Sequence, residues 1–107
     1  MKIGIILNSN EPETAWNALR LGIEALNKKN SAKIFLLGKG VEIENLQDQK
    51  FDVQKMVNAF KKRNGTILAC GTCLKIRDKN ESKICPISTM EELLELVEES
   101  DKILSFG

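Results

Sequence analysis

The stretch from Lys2 to Leu7 constrains this chain more than any other. It is a continuous apolar run rich in isoleucine, closed by the polar trio Asn8-Ser9-Asn10. A strand exposed on one face alternates apolar and polar residues; one covered on both faces does not, and this is the habit of a parallel sheet. Such a strand needs a crossover element behind it. The next residues supply one. Pro12 suits a first helical turn, where its missing N–H loses no partner. Asn10 is the expected N-cap, with Glu13 in the capping-box position. Ala15, Leu19, Ile23 and Leu26 then recur at helical spacing, and Trp16 widens the apolar face.

The pattern repeats along the chain. Ala32 to Leu37 reads as a second buried strand ended by Gly38. Gly38 to Lys50 lacks clear periodicity and is read as a long loop with a short helical turn near Val41 to Leu46. It exceeds the usual βα connection length, which marks it as a functional or assembly loop. Asp52 caps a helix carrying the stripe Val53, Met56, Val57 and Phe60, and Asn64-Gly65 stops it because both residues tolerate a left-handed backbone. Thr66 to Ala69 forms a third strand that runs directly into Cys70-Gly71-Thr72-Cys73. A short helix is expected over Leu74 to Arg77, and an edge strand over Ile84 to Ile87 beside Pro86. Ser88-Thr89-Met90-Glu91 is a capping-box sequence, followed by the stripe Met90, Leu93, Leu94 and Val97. Lys102 to Phe106 closes the chain as a strand. The alternation predicts an α/β fold, a three-layer α/β/α sandwich around a mainly parallel sheet of about five strands. With 107 residues, it is expected as a single domain over 1–107.

Composition narrows the function. Sixteen basic and fifteen acidic side chains leave a net charge of +1, which argues against a surface devoted to nucleic-acid phosphates. The run Lys61-Lys62-Arg63 falls at a helix end, where cations favour the dipole. No apolar run approaches the ~20 residues of a membrane span, and the first residues do not resemble a secretory signal. The expected location is the cytoplasm, where structural disulfides are rare. The three cysteines, Cys70, Cys73 and Cys85, are an odd set. A chain of this length buries only roughly two-thirds of its unfolded surface, so assembly with copies of itself is a natural source of stability.

The chemistry is expected at Cys70. Loops beyond the carboxyl ends of parallel strands form the crevice where open α/β sheets bind ligands. A helix beginning at Cys70 or Gly71 aims unpaired N–H groups at the sulfur and favours thiolate. Gly71 lets the turn approach closely, Thr72 is placed to donate to an anionic sulfur, and Arg77 is placed to return positive charge. Cys73 is the nearest partner thiol, as a resolving cysteine or as core packing on the first helical turn. Cys85, between Ile84 and Pro86, reads as structural.

Other chemistries have less support. A CxxC pair permits a reversible disulfide, but the motif lies past the middle of the chain without the Trp-Cys-Gly-Pro-Cys sequence of thioredoxins. Zinc would need an acid or another subunit, because the chain has no histidine; no metal is expected. The same absence removes a Ser-His-Asp triad. Gly38-Lys39-Gly40 is too little for a nucleotide fingerprint, and the Asn8 to Pro12 loop makes a poor flavin phosphate cradle. No cofactor is expected.

The opening strand, the Gly40-Val41 loop, the Phe51-Asp52-Val53 helix start and above all Cys70-Gly71-Thr72-Cys73-Leu74 running to Arg77 resemble the DsrE/TusD-like family of small sulfur-relay proteins. The resemblance implies an α/β/α fold and assembly as trimers or hexamers. It also implies a persulfide carried on Cys70, sulfur donor and acceptor proteins as partners, and a supporting role for Arg77. Asp78 departs from the glycine expected after that arginine. Cys73 occupies a position often held by a small residue, which brings reductive sulfur release or redox sensing into view. The functional expectation is transfer of sulfane sulfur through Cys70; the alternatives are a non-catalytic assembly or regulatory subunit, or a dithiol redox module using Cys70 and Cys73.

Overall fold

The computed structural model describes residues 1–79 and 86–107. Strands β1 (Lys2–Leu7), β2 (Ser31–Leu36), β3 (Thr66–Cys70), β4 (Ile87–Ser88) and β5 (Lys102–Phe106) form one sheet in the order β4-β3-β2-β1-β5. Every pairing is parallel. The helices are α1 (Pro12–Asn27), α2 (Val53–Lys62), α3 (Gly71–Ile76) and α4 (Met90–Glu99), and a 3-10 segment covers Gly38–Asn45. The chain steps from β1 to β4 in one direction and returns to the far side of β1 for β5. Right-handed crossovers therefore place α1 and α2 on one face and α4 on the other. Gly22 of α1 faces Ile34 of β2 and Phe60 of α2, whereas Gly4 of β1 faces Leu96 and Ser100. Helices cover both faces, as the apolar run in β1 requires.

The core is centred on β1, β2 and β3. Ile5, Ile34 and Ile67 lie in register across the three strands and are fully buried, and Phe60 closes the layer from α2. Gly22 belongs there because a Cβ would stand 2.8 Å from the Phe60 ring. The exit of α2 follows the sequence reading. Asn64 has φ +67, and the Gly65 N–H donates to the Phe60 carbonyl at 3.0 Å, in the manner of a left-handed cap.

Several boundaries differ from the sequence expectation. The N-cap of α1 is Glu11 rather than Asn10. Its two carboxylate oxygens accept from the Thr14 N–H at 2.9 Å and the Glu13 N–H at 3.1 Å. The longer side chain folds back over the open turn and releases Asn10 for another partner. The helical part of the long loop starts earlier than Val41 and is a 3-10 segment. Its late carbonyls, on Ile43 and Leu46, both accept from the Gln54 amide at 2.8 Å, satisfying groups such a helix end leaves open.

In the last third, α4 is capped by Thr89, whose hydroxyl accepts from the Glu92 N–H at 3.2 Å. The cap lies one residue later than the motif suggested because Ser88 is the last residue of β4. Ile84 and the start of the expected edge strand lie outside the described residues. The stripe of α4 is also rotated. Leu96 is buried and Leu93 half-buried, while Met90, Leu94 and Val97 are exposed, Leu94 at 58%. One helix spans its whole sheet face, so it turns only part of its apolar surface inward.

Gly40 fixes the 3-10 segment onto the sheet. A Cβ there would collide with the Leu7 carbonyl oxygen at the end of β1, and backbone cannot rotate away as a side chain can. Gly40→Ala is expected to destabilise the protein at the upper end of the ~1–3 kcal/mol typical of overpacking, read as a lower urea midpoint with an unchanged m-value.

Candidate functional site

All five strands point the same way, so the loops after β1, β2 and β3 meet at one edge. There β3 ends at Cys70, and α3 begins at the next residue. Cys70 is the N-cap residue of α3, with φ −59 and ψ 118, but its side chain makes no capping hydrogen bond. Gly71 permits this sharp exit beside β4: a Cβ would lie 3.0 Å from Ile87 Cγ2 and 3.2 Å from the Ser88 carbonyl oxygen. The glycine thus serves the close approach of two strands.

Cys70 is only 2% exposed, whereas Cys73 is half-buried; both are free thiols. Burial pushes the Cys70 thiol above its ordinary value of 9.0. A hydrogen bond and the charge of the Cys73 side chain push the same way, against the lowering effect of the Cys73 and Thr72 N–H groups. The sequence argument for a thiolate therefore meets a larger opposing effect. A six-residue helix offers few aligned peptides, and a sulfur in apolar packing loses hydration that these do not replace. Thr72 acts through its N–H, since its side chain is exposed.

Cys73 has a different surrounding. Its Sγ accepts the Gly38 N–H at 3.2 Å. Gly38 begins the 3-10 segment with φ +55, a left-handed conformation that suits glycine. The exit of β2 thus presents a backbone donor to the second sulfur.

Arg77 does not aim its charge at Cys70. Its Nε donates to Glu42 Oε2 at 2.7 Å, and its Nη1 donates to the Cys73 carbonyl at 3.1 Å. Glu42 Oε1 accepts from the Asn10 side-chain amide at 3.2 Å. This chain of bonds joins the loop after β1, the 3-10 segment and the end of α3. The Arg77 hydrogen bond, then that from Asn10, holds the Glu42 carboxyl below its ordinary 4.5. Its contribution is present above 4.5 and lost as the pH falls through that lowered value.

Asp78, where the resemblance implies a glycine, has φ +51. The position needs a left-handed residue, and aspartate is among those that tolerate it.

The structure thus brings Cys70, Gly71, Thr72 and Cys73 together at one strand exit and places Arg77 as a brace behind them. Cys85 lies outside the described residues. Asn10, Gly38, Glu42 and Ser88 were not singled out for the site from sequence. The one available signal was the unusual length of the loop containing Gly38 and Glu42.

Comparison with known proteins agrees with this fold. The DsrE/DsrF-like family model matches residues 1–106, and the chain belongs to that family. An uncharacterized protein of Methanocaldococcus jannaschii is 29% identical over 100 residues, covering 88% of each chain. Another, from Methanopyrus kandleri, is also 29% identical over 100 residues, covering 88% of this chain and 83% of the relative. Among solved structures, the ychN protein of E. coli superposes with a TM-score of 0.86 at 26% identity over 99% of both chains. A conserved protein of unknown function from Bacteroides thetaiotaomicron gives 0.76 at 22% identity over 97% of this chain and 93% of that one; that likeness concerns the fold alone.

The unequal burial of the two sulfurs sets an order of reactivity. With iodoacetamide at pH 7, Cys73 is expected to be alkylated faster than Cys70, whose sulfur is buried and whose thiol is pushed above its ordinary value. Peptide mass mapping of a time course over a pH series reads both rates, and Cys70 should gain speed only above the ordinary thiol range.

Proposed function

We propose, from membership in the DsrE/DsrF-like family, that this protein relays sulfane sulfur as a persulfide on Cys70. The observation that supports this most directly is the placement of Cys70 where β3 becomes α3, with a second thiol three residues further on. The Cys70 thiolate attacks the outer sulfur of a donor persulfide. A new S–S bond forms at Cys70, the donor's S–S bond breaks, and the donor leaves as a thiolate. Transfer to an acceptor thiolate repeats the exchange with Cys70 as leaving group, and no net oxidation occurs. Such exchange proceeds through the thiolate, so loading draws on a minor open state in which α3 moves off the sulfur. In the closed state, burial protects the carrier from unproductive oxidation. Donor and acceptor are both proteins bearing reactive sulfur, and the setting is the cytoplasm.

A second reading is favoured by the nearness of the Cys73 thiol, which acts on the ionisation of Cys70. Attack of the Cys73 thiolate on the inner sulfur of a Cys70 persulfide forms a Cys70–Cys73 disulfide and releases hydrosulfide. The two thiols are oxidised, the sulfane sulfur is reduced, and a dithiol reductant must restore the pair. This turns the carrier into a sulfur-releasing redox module.

Assembly with copies of the same chain belongs to the proposal. Met90, Leu94 and Val97 form an exposed stripe on α4 at i, i+4, i+7 spacing, suited to burial against another subunit; the family resemblance suggests trimers or hexamers.

Two outcomes are expected. Reduced protein incubated with a persulfide donor should gain about 32 Da, one sulfur atom, on the Cys70 peptide. Cys70→Ser should abolish the gain; Cys73→Ser should prolong it if Cys73 resolves the persulfide and leave its lifetime unchanged under simple relay. Absence of the adduct from folded wild-type protein would remove the proposal. Separately, Leu94→Glu should lower the mass measured by light scattering while leaving far-UV circular dichroism unchanged.

A further inference from the structure

Ser88 is the one residue among the buried polar set of the described chain. It is 2% exposed, and its Oγ has no hydrogen-bond partner among the described residues. A buried hydroxyl left unpaired forfeits its hydration without replacement. Such groups are uncommon in native structures, and each calls for a reason. The hydroxyl does not cap α4, because Thr89 does that.

Its neighbour across the sheet supplies the reason. Cys70 and Ser88 are register partners on β3 and β4. Paired residues on adjacent parallel strands project to the same face, with the strands ~4.8 Å apart. Along β3, Ile67 pairs with Ile34, which faces α1, and Cys70 is three residues further on. Alternation therefore turns Cys70, and Ser88 with it, to the face carrying α4. Rotation of the serine about χ1 swings its hydroxyl toward the sulfur or away from it.

We propose that the Ser88 hydroxyl is the hydrogen-bond donor held beside Cys70 for its anionic sulfur, the thiolate and, on the relay reading given above, the terminal sulfur of the persulfide. A neutral thiol is a weak acceptor and leaves the hydroxyl idle; an anionic sulfur is a strong one and engages it. Ser88 thus acts as a positioning residue. It complements the Thr72 and Cys73 N–H groups that approach the sulfur from α3. The neighbour whose side chain acts on the ionisation of Cys70 is Cys73, so its contribution has to be removed before that of Ser88 is measured.

The experiment uses the full chain in a Cys73→Ser background, with and without Ser88→Ala or Ser88→Thr. Cys70 alkylation by iodoacetamide is followed by peptide mass across pH, and the lifetime of the Cys70 persulfide is followed after loading. Ser88→Ala should raise the pH midpoint of alkylation by about one unit and shorten the persulfide lifetime about tenfold. Its melting temperature should stay the same or rise, because an unpaired polar group is removed. Ser88→Thr, which keeps a hydroxyl, should restore the midpoint. An unchanged midpoint in Ser88→Ala overturns the inference, even if the melting temperature falls, since that is the mark of a packing role alone. If wild-type protein takes up no sulfur, the relay reading fails, and the alkylation midpoint still decides the role of Ser88.

Discussion

A parallel strand cannot be joined to its neighbour by a tight turn, so each connection here must leave the sheet, cross one face and return. That constraint organises everything else. It buries β1 to β3 on both sides, which is why Ile5, Ile34 and Ile67 are inaccessible to solvent. It also collects the loops after β1, β2 and β3 along a single edge. Residues 32 to 35 apart in sequence thereby become neighbours: Glu42 takes hydrogen bonds from both Asn10 and Arg77, and Gly38 donates to Cys73. None of these contacts is local, and all follow from strands that point the same way.

The edge holds its cysteines in opposed environments. Cys70 is the end of a buried strand and the cap of a very short helix, and burial outweighs the local N–H groups in setting its ionisation. Cys73, one helical turn further, is half-buried and accepts a backbone hydrogen bond from another loop. Arg77 is consumed by Glu42 and by the Cys73 carbonyl. The guanidinium therefore stabilises the fold of the turn that carries the sulfurs, through a partly exposed ion pair at 2.7 Å. Its effect on sulfur chemistry passes through geometry, because its charge is already matched.

How far sequence carried the reading depended on the range of the interactions involved. Lys2 to Leu7, Lys102 to Phe106 and the cap at Asp52 were legible because each rests on neighbours a few residues away. Asn64-Gly65 was legible for the same reason, since the left-handed turn is a property of the two residues themselves. Glu11 displaced Asn10 as the cap of α1 once Asn10 was needed by Glu42, a contact 32 residues distant. The stripe of α4 was legible as a stripe, but its exposure was not, because helical spacing shows which residues share a face, not which way that face turns. The expectation of a favoured thiolate at Cys70 failed for a related reason: the strand-to-helix motif announces the N–H groups, but the burial that opposes them is a property of the assembled sheet.

Asp78 and Ser88 show two ways in which an unusual residue can fit its place. Asp78 occupies a left-handed turn where the family resemblance suggests glycine, a conformation aspartate tolerates, and it adds a charged side chain on an exposed surface. Ser88 occupies a buried strand end where an apolar residue would be free of an unpaired hydroxyl. It also immediately precedes the Thr89 cap of α4, so the position of its side chain is tied to both β4 and α4.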